Sequence, residues 1–318
     1  MKYPRHSQYK YAKSQDRVRN WSEYEAGLQK RGDLTVWLSD DALDCWRVAP
    51  SGKPGGQRTY TDVAIEAALT IRMVFHLPLC QTEGFLRCLG EMLEVDLPIP
   101  DHTTLSRRLK KLSDIQFRKL PTDRPIHLMI DSTGLRVHAG HMPKPPRHRA
   151  WRKLHLAVDA DTGEIVASDL TARRTHDCTQ VPALLEQIGD PIESVSADGV
   201  YDSKAVYEAA HERGEERAVR VLIPPGRNAQ LSSSPSAAQK ERNRNIRSIR
   251  KLGRREWPTQ SGYSKRSMVE NTMYRYKTII GRSMRSRTLD GQRIEVQLAS
   301  KILNTMTLFG MPDSYKVV

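Results

Sequence analysis

The side chains best suited to chemistry lie in one stretch near the carboxyl end of the chain. Residues 261–281 have no internal proline, and they predict one helix that begins after Gly262 and ends at Gly281. At about 100° per residue, one face of this helix collects a phenol, two cations and a carboxylate, namely Tyr263, Arg266, Glu270 and Lys277. A carboxylate among cations suits a metal ligand whose neighbours hold phosphates. The alternative is an ordinary solvent-exposed charged face.

Two further carboxylates follow short apolar runs that are typical of buried strands. Asp131 follows residues 126–130, and Asp198 follows residues 192–197. If these two strands pair in parallel, both aspartates lie at the same edge, and adjacent strands are about 4.8 Å apart. Carboxylates at that spacing repel each other unless a cation lies between them. With Glu270 from a covering helix, the pattern predicts three oxygen ligands for hard divalent ions such as Mg²⁺.

The surrounding pattern predicts an α/β fold with a mixed sheet flanked by helices. The predicted strands are residues 126–130, 151–159, 164–172, 192–197 and 218–223. The first three form a strand and a hairpin, and helices alternate with the others, which gives a mixed sheet. A helix at residues 294–311 is expected to cover this sheet or to contribute to a dimer.

The charge balance favours a nucleic-acid partner, because the formal net charge is +14 and the pI is about 9.7. Three carboxylates and an excess of positive charge indicate metal-assisted phosphodiester chemistry with two ions. The four cysteines form no C-x-x-C pair and are expected to be buried free thiols in a reducing compartment. We expect neither a signal peptide nor a membrane span, since the start is polar and no apolar run approaches about 18 residues.

Residues 1–118 predict an all-helical DNA-binding region, with a domain boundary near residues 121–125. It consists of a loosely packed basic arm up to about residue 30 and a helix-turn-helix-like unit. The third helix of this unit is expected to contact DNA through Arg107, Arg108, Lys110 and Lys111. The alternative is a small helical bundle with a charged outer face.

A basic insert at about residues 225–260 precedes the predicted helix that carries Glu270. Its run of cations includes Arg247 and Arg250, and we expect a helix that clamps DNA, with a disordered charged loop as the alternative. Trp151 is expected either to stack on an unpaired base or to pack against the core. Residues 137–149 are rich in Gly, Pro, His and Arg, which predicts a mobile basic loop.

Several separate segments resemble insertion-sequence transposases of the IS5 and IS4 type, and especially the IS903-like branch of the IS5 family. These segments are Tyr263-x2-Arg266-x3-Glu270-x6-Lys277, I-D-S-T-G-L around Asp131, W-R-K-L-H-L-A-V-D from Trp151, S-A-D-G-V-Y-D around Asp198 and V-L-I-P-P from Val221. The resemblance covers residues 120–312 well and the helical amino-terminal part more loosely.

The resemblance implies an RNase H-like DDE catalytic domain at residues 119–318. It implies that Asp131, Asp198 and Glu270 are catalytic and bind two Mg²⁺ ions, for which Mn²⁺ can substitute. Tyr263, Arg266 and Lys277 would contact DNA. The implied activity is binding of terminal inverted repeats in double-stranded DNA, cleavage of the element ends and joining of the 3′-hydroxyls to target DNA. A homodimer or larger assembly in the bacterial or archaeal cytoplasm, associated with the nucleoid, is expected.

Two other functions stay open at this stage. One is a DNA-binding protein that occupies element ends without cutting, such as a repressor or a domesticated copy. The other is an RNase H-like nuclease that degrades RNA–DNA hybrids. The intact set of acidic residues argues against the first, and the large basic amino-terminal region argues against the second.

Overall fold

The computed structural model describes residues 15–49, 52, 58–112, 115, 125–137, 151–214, 218–233 and 236–317. The predicted mobile loop therefore lies outside the described residues, except for residue 137. The predicted boundary between residues 118 and 119 also lies outside them, so the division into domains stays a prediction.

A mixed sheet forms the centre of the molecule. Its main strands are β2 (Ile126–Val137), β3 (Trp151–Asp159), β4 (Ile165–Ala172), β5 (Ile192–Ala197) and β6 (Arg220–Leu222). Their spatial order is β4-β3-β2-β5-β6; β2, β3 and β4 pair antiparallel, while β2, β5 and β6 pair in parallel. The predicted mixed sheet flanked by helices is confirmed.

Both faces of the sheet are covered, which explains why its strands read as continuous apolar runs. In β2, Leu128 and Ile130 pack with α7 (Val181–Glu186) and α8 (Lys204–Glu212). Met129 points to the opposite side. There it joins a second cluster with α10 (Ser267–Arg275) and α11 (Leu289–Leu308). The helix predicted at residues 294–311 thus begins earlier and covers the sheet.

Strand β2 is longer than the sequence pattern predicts. Asp131 was expected at the end of a strand, but β2 continues to Val137 and stays paired with β3 as far as Arg136. On its other edge, pairing with β5 ends at Ile130 and a short strand β7 (Ser283–Met284) pairs from Arg136 onward. The residues directly after Asp131 are polar and end the apolar pattern, although the backbone pairing continues and Leu135 is again buried in the core.

The basic insert is helical, as predicted. Helix α9 (Ala237–Ser261) begins with a capping box in which Ser236 and Gln239 exchange hydrogen bonds, and it is interrupted at Gly253, where φ is +80°. Gly262 then ends α9 in the left-handed conformation. The segment that carries Glu270, residues 263–280, follows as a 3₁₀ turn (Tyr263–Arg266), α10 and a π-helical turn (Tyr276–Ile280), instead of the single regular helix predicted.

The amino-terminal part is mainly helical in its described residues. Its helices are α1 (Trp21–Lys30), α2 (Leu34–Trp37), α3 (Asp40–Asp44), α4 (Asp62–Val74), α5 (Leu79–Met92) and α6 (His102–Leu109). Thr61 and Asp101 cap α4 and α6 through their side chains, and both residue types are favoured at that position.

The prediction of a loosely packed arm over residues 1–30 is wrong for its described part. A strand β1 (Gln15–Val18) pairs antiparallel with β8 (Ser314–Val317), and α1 follows it. The Asn20 side chain and the Arg31 guanidinium donate hydrogen bonds to the carbonyls of Met311 and Gly310. This tie between the two ends of the chain joins residues too distant in sequence for local patterns to predict.

The amino-terminal helices share a hydrophobic core with the central sheet. Ile65 and Leu69 of α4 and Leu105 of α6 belong to the same buried cluster as Val269 of α10 and Ile302 of α11. This contact fixes the amino-terminal helices against the layer that carries Glu270. A movement of these helices would therefore disturb the packing beneath the segment that carries Glu270.

The cysteines are free, but their predicted burial is wrong. Cys45, Cys80 and Cys88 are exposed and Cys178 is half-buried. Within the described part of the chain, no single helix is long and apolar enough to cross a membrane. The helices α4 and α5 pass the length and composition test together, but a bend of 108° separates them.

Two glycines test the docking of α1. A Cβ at Gly27 would lie 2.2 Å from the backbone carbonyl oxygen of Phe309, whereas a Cβ at Gly84 in α5 would meet nothing within 4 Å. We expect Gly27→Ala to lower the free energy of unfolding by about 1–3 kcal/mol. Gly84→Ala should raise it by about 0.5–1 kcal/mol, since alanine favours the helix. Urea denaturation measures both values, and equal effects would contradict this packing.

Candidate active site

Asp131 and Asp198 lie on neighbouring strands, as predicted. Ile130 is opposite Ala197 in the parallel pairing of β2 and β5, and each aspartate follows directly. The Asp131 carboxylate accepts a hydrogen bond from the backbone N–H of Ser132 at 2.8 Å. The Asp198 carboxylate accepts one from the backbone N–H of Val200 at 2.9 Å. Each backbone donor restricts the orientation of one carboxylate at this edge of the sheet.

A single guanidinium joins the third acid to this pair. The Nη1 of Arg266 lies 3.1 Å from the Oδ2 of Asp131, and its Nη2 pairs with the Oε1 of Glu270. The side chains of Arg266 and Asp131 are 19% and 18% exposed, while that of Glu270 is 56% exposed. The i,i+4 spacing on the helical segment places Arg266 beside Glu270, and the packing of α10 on β2 brings both to Asp131.

The site concentrates negative charge in a partly desolvated position. Burial raises the pKa of the Asp131 carboxyl, and the nearby Asp198 charge raises it further, whereas the Ser132 N–H and Arg266 oppose this change. Burial also raises the pKa of the Tyr263 hydroxyl. The carboxylates therefore gain stability from any cation placed between them, and Arg266 supplies that charge.

The other two residues of the predicted helix face are Lys277 and Tyr263. Lys277 contacts β2, the strand that carries Asp131, and Tyr263 contacts α9. The Lys277 ammonium donates a hydrogen bond to the Thr133 hydroxyl, two residues beyond Asp131 on the same side of β2. The Tyr263 ring packs against Trp257 of α9, with centroids 5.2 Å apart. Tyr263 thus links the segment that carries Glu270 to the basic insert.

The described residues do not bring three metal-binding side chains into one coordination sphere as they stand. No group of three or more His, Cys, Asp or Glu in this part of the chain is close enough to hold an ion. The guanidinium of Arg266 lies between Asp131 and Glu270. The assignment of Asp131, Asp198 and Glu270 as metal ligands therefore stays a prediction that requires Arg266 to move.

Comparison of the sequence with models of known protein families assigns the chain to a family. A family model described as a transposase DDE domain matches residues 122–305, which is more than half of the chain. The chain belongs to the DDE transposase family. A second model with the same description matches residues 29–140 and so includes the helices α2 to α6 together with all of β2. Membership of the IS5 family stays a prediction.

Solved structures of other transposases have low overall similarity to this one. The piggyBac transposase in its synaptic complex with hairpin DNA has 10% sequence identity and a TM-score of 0.40, and the match covers 93% of this chain and 77% of that chain. The Mos1 transposase in its paired-end complex with the left transposon end has 11% identity and a TM-score of 0.22, with 73% and 81% covered. Membership of the family rests on the sequence match.

The predicted DNA-contacting residues of α6 differ in their availability. Arg107, Lys110 and Lys111 are exposed in the transposase. Arg108 instead pairs with the Asp62 carboxylate and donates a hydrogen bond to the carbonyl of Tyr60 at 3.1 Å. Arg108 therefore has a structural partner at the start of α4, and a role in DNA contact would require it to release that partner.

Helix α9 exposes cations on one side and is anchored on the other. Arg247 and Arg250 are exposed, although Arg250 also donates a hydrogen bond to the carbonyl of Ala229. On the anchored side, Arg242 binds both carboxylate oxygens of Asp202, at 2.8 and 2.9 Å. Asp202 thereby holds α9 next to the turn that follows Asp198.

Trp151 is half-buried at the start of β3. The Arg136 guanidinium lies 5.4 Å from its ring centroid, and a Cβ at Gly134 would lie 3.3 Å from the ring. These contacts agree with the packing role expected for Trp151. Stacking of Trp151 on an unpaired base stays a prediction.

The sequence interpretation missed a buried tyrosine near the acids. Tyr201 is 1% exposed, and its hydroxyl has no hydrogen-bond partner among the described residues. Burial raises the pKa of this hydroxyl, and the charges of Asp177, Asp131 and Asp198 raise it further. Tyr201 is the aromatic residue of the run S-A-D-G-V-Y-D around Asp198, and its place three residues after Asp198 could have indicated a position near the acids.

The anchoring pair predicts how α9 responds to mutation. The Asp202 side chain is 8% exposed, so Arg242→Ala leaves a buried carboxylate without its cation. We expect a loss of about 1.5–3 kcal/mol in local stability, visible as faster amide hydrogen exchange over residues 237–252. The control is Arg244→Ala, since Arg244 is 72% exposed and pairs with Glu241, and it should change exchange little. Equal effects would contradict the anchoring role.

Proposed function

We propose that this transposase binds the terminal inverted repeats of an insertion sequence, cleaves the element ends and joins the 3′-hydroxyls to target DNA. Its catalytic domain would be an RNase H-like DDE core of the IS5 type. The observation that carries this proposal is that Arg266 contacts both Asp131 and Glu270, while Asp198 follows the strand that pairs with that of Asp131.

The residues present fit a divalent metal. Asp131 and Glu270 already share one positive group, the Arg266 guanidinium, and burial disfavours the charged form of Asp131 unless a cation is near. Asp131, Asp198 and Glu270 would supply the oxygen ligands that Mg²⁺ and Mn²⁺ accept. When bound, two such ions activate the attacking oxygen and stabilise the leaving oxygen of a phosphodiester.

The cations of residues 263–280, the proposed catalytic segment, would hold the DNA backbone. Once separated from the carboxylates, Arg266 can bind a phosphate through two N–H groups. Lys277, held by Thr133 on the same side of β2 as Asp131, would bind a neighbouring phosphate as a point charge. Tyr263 would keep this segment in register with α9 through its contact with Trp257.

The exposed cations of α9 and of the end of α6 would bind the element end. Arg247 and Arg250 lie on the helix that leads directly into the catalytic segment, and Arg107, Lys110 and Lys111 are exposed at α6. Phosphate contacts of this kind make affinity fall with salt, by a slope of about −0.9 per contact on logarithmic axes.

Joining two element ends to one target requires two active sites that act together. We therefore propose that the transposase works as a homodimer or larger assembly on DNA, in the cytoplasm of its host cell and associated with the nucleoid. A labelled end duplex and sedimentation of the protein–DNA complex would measure the number of protomers.

The acidic triad is tested with shape-preserving substitutions. We expect Asp131→Asn, Asp198→Asn and Glu270→Gln each to lower strand joining by about 10³-fold or more, equivalent to roughly 4 kcal/mol of barrier. Binding of the end duplex should stay nearly unchanged, because these residues face the reacting phosphate. The exposed Asp290→Asn is the control. The assay contains a labelled inverted-repeat end, target DNA and Mg²⁺.

The same assay separates the alternatives. Joined product supports the transposase. End binding without cleavage would favour a repressor or domesticated copy, and cleavage of RNA–DNA hybrids without joining would favour a nuclease. Full joining by all three acidic variants would contradict the assignment of the site.

The guanidinium between the acids gives a prediction for metal binding without DNA. A metal must displace Arg266 from Asp131 and Glu270, so Arg266→Gln should bind Mn²⁺ about tenfold more tightly, or roughly 1.4 kcal/mol. Lys265→Gln is the control, because it removes a neighbouring cation whose partner is Asp161. Titration calorimetry measures both affinities. Equal or weaker binding by the Arg266 variant would show that Arg266 does not compete with the metal.

A further inference from the structure

The strand that carries Asp131 places its next residue on the other face of the sheet. Leu128 and Ile130 of β2 pack against α7 and α8, whereas Met129 packs against α10 and α11. Side chains alternate along a strand, so Asp131 faces α10 and Ser132 faces α7 and α8. The two residues stay connected across the sheet, because the backbone N–H of Ser132 donates to the Asp131 carboxylate at 2.8 Å.

A polar cluster surrounds Ser132 on the face of α7 and α8. His155 of β3 is opposite Ser132 in the antiparallel pairing and is fully buried. Its Nε2 lies 2.8 Å from the Thr171 hydroxyl, and its Nδ1 lies 3.7 Å from the Oδ1 of Asp177. The Lys153 Nζ lies 3.0 Å from the same carboxylate oxygen. Polar groups therefore lie on this face of the sheet as well as on the face of the acids.

Tyr201 connects this cluster to the turn that holds Asp198. Its ring is buried in the core beneath α7 and α8, and its backbone N–H donates to the Asp198 carbonyl at 3.1 Å. Burial raises the pKa of its hydroxyl, and the charges of Asp177, Asp131 and Asp198 raise it further. The Ser132 hydroxyl, which lies beside the phenol, opposes this change. One side chain thus reaches from the turn of Asp198 to the strand of Asp131.

Core packing does not account for the hydroxyl of Tyr201. Within the described part of the chain this hydroxyl forms no hydrogen bond, and burying such a group destabilises a fold. A phenylalanine would fill the same space without that cost. Tyr207 of α8 is equally buried, but its hydroxyl accepts a hydrogen bond from the Asn245 amide at 3.4 Å. The Tyr201 hydroxyl therefore calls for an explanation other than stability.

We infer that Tyr201 is a positioning residue that fixes Asp131 and Asp198 relative to each other. It acts on Asp131 through Ser132, whose backbone N–H orients the Asp131 carboxylate. It acts on Asp198 through the turn that Tyr201 completes, in which the Val200 N–H donates to the Asp198 carboxylate at 2.9 Å.

The link between the two strand ends is a hydrogen bond from the Tyr201 hydroxyl to the Ser132 hydroxyl. The two groups are adjacent in the structure, and we expect the bond to form when the carboxylates share a metal. This inference rests on the proposed function, because the separation of Asp131 and Asp198 matters most when both bind one ion. Groups behind the ligands tune metal affinity by restricting how the ligands move.

The test removes each half of this link. Tyr201→Phe keeps the buried ring and removes the hydroxyl, and Ser132→Ala removes the hydroxyl that it meets. The control is Tyr207→Phe, which deletes the hydroxyl of a tyrosine of equal burial on α8. Titration calorimetry measures the affinity of each folded protein for Mn²⁺, and urea denaturation measures its stability.

Tyr201→Phe and Ser132→Ala should each weaken Mn²⁺ binding about tenfold. The double variant should bind no more weakly than either single variant, because both changes break the same link. Tyr201→Phe should not lower the stability in urea, since the lost hydroxyl formed no hydrogen bond. Tyr207→Phe should keep the affinity of the wild type.

Wild-type Mn²⁺ affinity in Tyr201→Phe would overturn the inference. Equal losses of affinity in Tyr201→Phe and Tyr207→Phe, or a loss in Tyr201→Phe that accompanies a fall in stability, would also overturn it by showing a general effect of core packing. Strand joining is measured separately on the wild type. If the wild type joins no DNA while Tyr201→Phe still weakens Mn²⁺ binding, the proposed function fails and the positioning role stands.

Discussion

The site depends on one electrostatic constraint: carboxylates collected at a partly buried sheet edge need a cation between them. In the structure Arg266 meets that need by binding Asp131 and Glu270. The same geometry suits divalent ions when the arginine moves to a phosphate. The raised pKa of Asp131 has the same origin, since burial and the Asp198 charge disfavour its ionised form. Arg266 is therefore a partner of the acids and, under the proposed function, a competitor of the metal.

The fold meets this constraint by combining two rigid elements. The parallel pairing of β2 and β5 sets Asp131 beside Asp198, and the packing of α10 over β2 adds Glu270. The layer that carries α10 is continuous with α4, α6 and α11 through one hydrophobic cluster. The amino-terminal helices thus support the site mechanically. Helix α9 is attached differently, through polar contacts such as that between Arg242 and Asp202.

The sequence was sufficient for features that depend on local pattern. Each of these features depends on neighbours in the chain. They are the strands before Asp131 and Asp198, the caps at Thr61 and Asp101, and the helical insert. Other features were not predictable from local pattern. The contact between Arg266 and Asp131 and the pairing of β1 with β8 join residues far apart in the chain, and the extension of β2 depends on backbone hydrogen bonds. The exposure of Cys45, Cys80 and Cys88 follows from tertiary packing, which cysteine spacing does not reveal.

The exchange of Arg266 for metal is tested most directly by anomalous scattering from Mn²⁺ in crystals of the transposase bound to its end duplex. The account predicts metal density in contact with the carboxylates of Asp131, Asp198 and Glu270, with the Arg266 guanidinium moved onto a DNA phosphate. Metal bound by other carboxylates, or Arg266 still paired with Asp131 and Glu270 beside bound DNA and metal, would contradict it.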